Sequence, residues 1–146
     1  MRLLALDVGE RRVGVAISDS TGTLARPLQA LMRGSLEEDV AAVVALVAEH
    51  GVDLVVMGQP LSLDGTEGPQ ARLIARYAEE LAARLPVQVI LWDESLSTMA
   101  AEEILRQSRG EKKRRRARAS GELDAIAAAV ILQSYLDSRP RTEERS

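Results

Sequence analysis

Asp7 closes the apolar run Leu3-Leu4-Ala5-Leu6 and precedes the turn-like stretch Gly9-Glu10-Arg11-Arg12. Two more acidic groups stand where a sheet can gather them. Asp93-Glu94 directly follows the apolar run Val87 to Trp92, and Asp124 opens an alanine-rich C-terminal segment. Carboxylates drawn from separate elements to one point form a hard-oxygen donor set of the kind Mg²⁺ and Mn²⁺ favour. A pair of such ions roughly 4 Å apart can activate water and stabilise the leaving oxygen in phosphodiester cleavage. Taken singly, each acid has a plainer use: Asp7 as an organiser of the turn before Gly9, Asp93-Glu94 as polar residues after a strand, and Asp124 as a partner of a helix dipole. Their joint placement at one end of one sheet is what separates the two readings.

Other chemistries are excluded by what the chain lacks. With no cysteine and a single histidine, His50, it has no disulfides, thiol nucleophile, thiolate zinc site or histidine cluster. Any catalysis falls to carboxylates, hydroxyls, Lys, Arg or backbone groups. At 146 residues and 46% hydrophobic composition the chain can bury one core, expected over residues 1–137, with a charged and disordered tail over 138–146. No stretch reaches the ~20 apolar residues of a membrane span, and the amino terminus lacks the layout of a signal peptide, so a cytoplasmic protein is expected.

The formal charge of −3 hides a strong asymmetry. Of 19 basic and 22 acidic residues, eight basic ones (Arg106, Arg109, Lys112, Lys113, Arg114, Arg115, Arg116, Arg118) and one acidic one, Glu111, lie between positions 106 and 118, so the rest of the chain carries −10. An acidic body with one concentrated cationic segment suits a polyanionic partner such as nucleic acid, although a solvated loop has the same composition. Trp92, Tyr77 and Tyr135 are the only aromatic residues. Base stacking along a single strand is therefore not expected, and recognition of a structured nucleic acid by shape is.

The elements that must position these groups follow from periodicity. Leu3 to Val8 reads as a buried strand, Val13 to Ser18 as its hairpin partner, and Thr23 to Leu31 as an edge strand, because Pro27 removes a ladder donor. Ser35 is placed to cap a helix over Leu36 to His50, with Glu37, Glu38 and Asp39 in its first turn and Gly51 closing it. Then come a strand over Val52 to Met57, a Gly/Pro-rich loop from Gly58 to Pro69, a helix over Gln70 to Arg84 and a strand over Val87 to Trp92. A third helix is expected from Ser97 or Thr98 to Gln107, and a fourth from Glu122 to Leu136. Three strands followed by alternating helices and strands give an α/β fold. The expected sheet is five-stranded and mixed, in the order 3-2-1-4-5, with helices on both faces. Ligands collect outside the carboxyl ends of parallel strands in such sheets, where Asp7, Asp93-Glu94 and the loop from Gly58 lie. Ala127 and Ala128 would let the last helix approach the sheet and bring Asp124 to the same place. The cationic segment sits just before that helix.

Four ordered blocks then carry a resemblance: Leu6-Asp7-Val8-Gly9 with Arg12-Val13-Gly14-Val15-Ala16; Gly58-Gln59-Pro60 with Asp64-Gly65-Thr66; Asp93-Glu94-Ser95-Leu96-Ser97-Thr98; and Leu123-Asp124-Ala125-Ile126-Ala127-Ala128. Together they resemble the YqgF/RuvX family over Met1 to about Asp137. The resemblance implies a ribonuclease H-like fold and a metal-dependent endonuclease, with Asp7, Glu94 and Asp124 as the metal-binding catalytic acids and Mg²⁺ or Mn²⁺ as cofactor. Family members are described as nucleases of pre-16S ribosomal RNA and as Holliday junction resolvases. The expected partner is accordingly a structured rRNA precursor or a four-way DNA junction, met by a monomer or a homodimer. The chain departs from the family pattern at Gln59, where leucine is usual, and at Ser95, where arginine is usual. Asp93 stays open as an alternative ligand to Glu94. Arg109, Lys112, Lys113, Arg114, Arg115, Arg116 and Arg118 are the expected nucleic-acid contacts. Two other readings compete: a binding module without catalysis, and a phosphate-binding lobe of the actin and sugar-kinase type. The second is disfavoured because the chain is long enough for only one lobe.

Overall fold

Strict alternation of side chains about a strand decides where every functional group of this chain can point. The structure, a computed structural model, describes residues 1–59, 69–93 and 121–139. β1 (Leu3–Val8) pairs antiparallel with β2 (Arg12–Ser18) and parallel with β4 (Leu54–Gln59). β3 (Ala25–Met32) lies outside β2 and β5 (Gln88–Asp93) outside β4, so the order is β3-β2-β1-β4-β5, as the sequence implies. Pro27 does sit on an edge strand, and the β2–β3 register shifts beside it, between Val15 and Ala16.

Both faces of the sheet are covered. Leu4, Leu6 and Val8 of β1, with Val13, Val15 and Ile17 of β2, pack into the core beneath α1 (Leu36–His50) and α2 (Pro69–Arg84). The opposite parity, Leu3, Ala5, Ala16, Leu54 and Val56, packs against Ala128, Ile131, Leu132 and Leu136 of α3 (Glu122–Ser138). By the same parity Asp7 belongs to the α3 face. Among the described residues no helix is long and apolar enough to cross a membrane.

Local chemistry sets the ends of these elements. Ser35 Oγ accepts from the Glu38 N–H while Glu38 Oε1 accepts from the Ser35 N–H, and Gly51 closes α1 in the left-handed region at φ 63°. The strand expected from Val52 begins at Leu54, because the Val52 N–H still bonds back to Val47 O of the helix. The strand expected from Thr23 begins at Ala25, because Asp19 gathers the Thr23 and Leu24 N–H groups into a turn. α3 runs two residues past the expected end at Leu136, so Ser138 is helical and not part of a tail. The helix expected up to Gln107, the cationic segment and residues 140–146 lie outside the described residues.

The tightest approach in the fold is that of α3 to β2. A Cβ built on Gly14 would lie 1.9 Å from the Asp124 carbonyl oxygen and 2.4 Å from its carbon. The obstruction is backbone, which cannot rotate away as a side chain would. We therefore expect Gly14→Ala to lift the first turn of α3 and to destabilise the protein by about 1–3 kcal/mol. This would be read as a lower urea midpoint at unchanged slope; an unchanged midpoint contradicts the packing described.

Candidate active site

The hairpin that follows Asp7 is pinned from below. The Gly9 N–H donates to Arg12 O at 2.9 Å, closing the turn, and the Arg33 N–H donates to Arg11 O at 2.9 Å. Arg33 Nη1 donates to the Gly9 carbonyl at 3.2 Å, while its Nε faces Asp39 Oδ2 at 3.4 Å. Asp39 is buried, and its other oxygen accepts the Gly34 N–H at 2.9 Å. The first-turn acid of α1 therefore does more than favour the helix dipole: it holds the arginine that fixes the turn beyond Asp7. A buried charge in this setting is tolerable only because it is paired and hydrogen-bonded.

Asp124 arrives from the other side of the molecule. α3 starts at Gly121, at φ 84°, and the Asp124 N–H donates to Gly121 O at 3.1 Å. Its backbone rests on Gly14, the residue directly opposite Asp7 in the β1–β2 ladder. Two carboxylates from elements far apart in sequence thus share one partly buried corner. Arg12 Nη1 lies 3.9 Å from Asp124 Oδ2 at the same corner.

The electrostatics follow from that crowding. Burial pushes the Asp7 carboxyl up to about 6, and the nearby charge of Asp124 adds to the effect. Burial raises Asp124 as well, against the opposing pull of Arg12. Among the described residues one cation, Arg12, faces these two desolvated carboxylates at 3.9 Å from Asp124, and both donors are hard oxygens. The residues present therefore fit a Mg²⁺ or Mn²⁺ ion. Among the described residues no group of three acidic or imidazole side chains closes on one point.

Of the other predicted site residues, Asp93 ends β5 in register with Gln59, two strands away from β1. Glu94 lies outside the described residues, as do Arg109, Lys112, Lys113, Arg114, Arg115, Arg116 and Arg118, and also Asp64 and Thr66. Two participants carried no role in the sequence reading. Ala128 packs against the sheet as expected while Ala127 packs with Ile126, Gly14 makes room for the helix from the strand side, and Arg12 reaches Asp124. The signal for both was the parity of Arg12, Gly14 and Ala16, which gives β2 one face with a long cation followed by two small residues.

The family model described as "RuvX: Holliday junction resolvase" matches residues 1–138. A protein of Syntrophus aciditrophicus is 46% identical over 138 residues, covering 94% of this chain and 89% of the relative. One of Chloroflexus aurantiacus is 44% identical over 144 residues, covering 99% and 92%. Both bear the name "Putative pre-16S rRNA nuclease". Among solved structures, the fowlpox virus Holliday junction resolvase matches with a TM-score of 0.57 at 17% identity, over 95% of this chain and all of that one. Thermus thermophilus RuvC, in complex with a Holliday junction substrate, matches at 0.60 and 15% identity, over 94% and 97%. The fold is ribonuclease H-like.

The raised Asp7 value has a definite sign for stability. Because the folded chain holds this proton more tightly than the unfolded one, stability falls as pH rises from about 4 through 6 and then levels off. Asp7→Asn removes that penalty. In EDTA at pH 7.5 the variant should be more stable than wild type by up to roughly 3 kcal/mol, and the gain should shrink towards zero as pH falls to 4. Urea unfolding at several pH values checks this; a variant no more stable at pH 7.5 contradicts it.

Proposed function

Because the chain belongs to the RuvX family, we propose that it is a Mg²⁺- or Mn²⁺-dependent endonuclease of structured nucleic acid, acting at the 5′ end of pre-16S ribosomal RNA. The observation that carries this reading is the convergence of Asp7 and Asp124 across Gly14. Asp7, Asp124 and Glu94 would hold the ion. Asp93 is the alternative third acid to Glu94. When bound, the ion supplies positive charge at a phosphate oxygen and makes water a better nucleophile at neutral pH.

The chain's own residues do the positioning. β1 and its hydrogen-bonded turn set the position of Asp7, which is the preorganisation an electrostatic site requires. With its carboxyl raised to about 6, Asp7 is ionised and able to bind a cation above that pH, and holds a proton below it. Arg109, Lys112, Lys113, Arg114, Arg115, Arg116 and Arg118 retain the phosphate backbone, giving affinity that is salt-dependent and poor in sequence information. Specificity then comes from shape. The aromatic residues favour this: Tyr77 is buried, and Trp92 is engaged edge-on with Tyr135 at 5.4 Å and bonded to Ser134. None of them offers a stacking platform of the single-strand kind.

The second reading is resolution of four-way DNA junctions, favoured by the description of the matching family and by its fold neighbours. Symmetric resolution needs two active sites and hence a homodimer, whereas trimming a precursor RNA needs only a monomer. A role on ribosomal precursors places the protein in the cytoplasm.

Both substrates belong in one experiment: the 5′ region of pre-16S RNA and a synthetic four-way junction, each with Mg²⁺, Mn²⁺ or EDTA. Wild type should cut the RNA with either metal and not in EDTA, and Asp7→Asn or Asp124→Asn should lower the rate at least 100-fold. Preferential cutting of the junction selects the second reading. Cleavage of neither substrate, or undiminished cleavage by the variants, contradicts the mechanism. Neutralising the basic residues between 109 and 118 should weaken binding and flatten its salt dependence.

A further inference from the structure

Arg12 begins β2 on the same face of the sheet as Gly14 and Ala16, the face that α3 covers. Since Asp7 stands opposite Gly14, Arg12 is its diagonal neighbour across the hairpin. Its guanidinium lies 3.9 Å from the Asp124 carboxylate, and its stem passes Gly121, where an added Cβ would meet Arg12 Cδ at 3.1 Å. Glycine at 121 thus leaves room for the stem of the arginine that reaches Asp124. The Arg12 and Asp124 side chains are 29% and 35% exposed, so the pair faces the solvent from which a substrate arrives.

We propose that Arg12 is a substrate-contacting residue: it neutralises Asp124 in the metal-free protein and turns to a phosphate oxygen of the nucleic acid when a divalent cation takes that carboxylate. This rests on the metal-site reading above. A contact of 3.9 Å between partly exposed groups is a weak ion pair. A guanidinium keeps its charge at any working pH, and its planar fork matches phosphate oxygens. Arg12 and a divalent cation also repel one another across Asp124. Each therefore weakens the other's hold on the carboxylate, and an incoming phosphate relieves the conflict by giving the arginine a new anion.

The repulsion gives the proposal a sign that a purely structural role would not share. An arginine that merely orients Asp124 would, when removed, weaken metal binding. Here Arg12→Gln should bind Mn²⁺ about three- to tenfold more tightly than wild type in calorimetry without nucleic acid, with Arg12→Lys close to wild type. At saturating Mn²⁺ the same Gln variant should cut at least tenfold more slowly, and its substrate affinity should lose about one phosphate's worth of salt dependence. Arg12→Lys, which keeps the charge but not the fork, should recover part of the rate. Mn²⁺ affinity that is unchanged or weaker in Arg12→Gln overturns the proposal, as does undiminished cleavage. Asp7→Asn separates the two levels. If it abolishes Mn²⁺ binding while Arg12→Gln changes nothing, Arg12 fails alone; if it leaves Mn²⁺ binding intact, the metal site fails and the role of Arg12 with it.

Discussion

The contact between the first turn of α3 and Gly14 is the constraint on which the rest of this site depends. A side chain at position 14 would occupy the volume now filled by the Asp124 carbonyl. Without that close approach, Asp124 would ride higher on the sheet and Asp7 would be an isolated acid at a strand end. The small residues of α3, Ala125 and Ala128, are buried at the same interface and allow the helix axis to come down. Gly14 therefore shapes the proposed site with no chemistry of its own. What it contributes is distance.

Bringing the acids together has an electrostatic cost, and the fold meets it in two ways. Beneath the sheet, buried Asp39 and half-buried Arg33 form a hydrogen-bonded pair that stabilises the turn after Asp7. At the site itself the compensation among the described residues is partial, because Arg12 is 3.9 Å from Asp124 and partly exposed while Asp7 is desolvated. Functional sites commonly carry such unresolved charge, and stability is lower there than a neutral substitute would give. On the metal-site reading proposed above, that remaining charge is what a divalent cation would meet. A fully neutralised pair would have no call for one.

Much of this was legible from the chain alone. The apolar runs of β1 and β4, the Ser35-to-Gly51 frame of α1 and the edge position demanded by Pro27 follow from periodicity and backbone chemistry, and together they lead to the strand order observed. Asp7 and Asp124 were legible as acids at element ends. Their convergence needed the cross-strand register, which pairs Asp7 with Gly14 and depends on long-range packing that periodicity does not report. The pairing of Asp39 with Arg33 was hidden for a related reason. An acid in the first turn of a helix already has a sufficient local explanation, so nothing in the sequence points to its burial. Strand ends moved by one or two residues where side chains such as Asp19 captured backbone N–H groups that the ladder would otherwise have used.

Asp7 and Asp124 are proposed to act as one divalent-cation site. Anomalous diffraction from crystals of the protein soaked in Mn²⁺ should show a manganese peak in contact with carboxylate oxygens of both residues. A peak held by only one of them, or protein crystals that take up Mn²⁺ elsewhere and leave this corner empty, would contradict it.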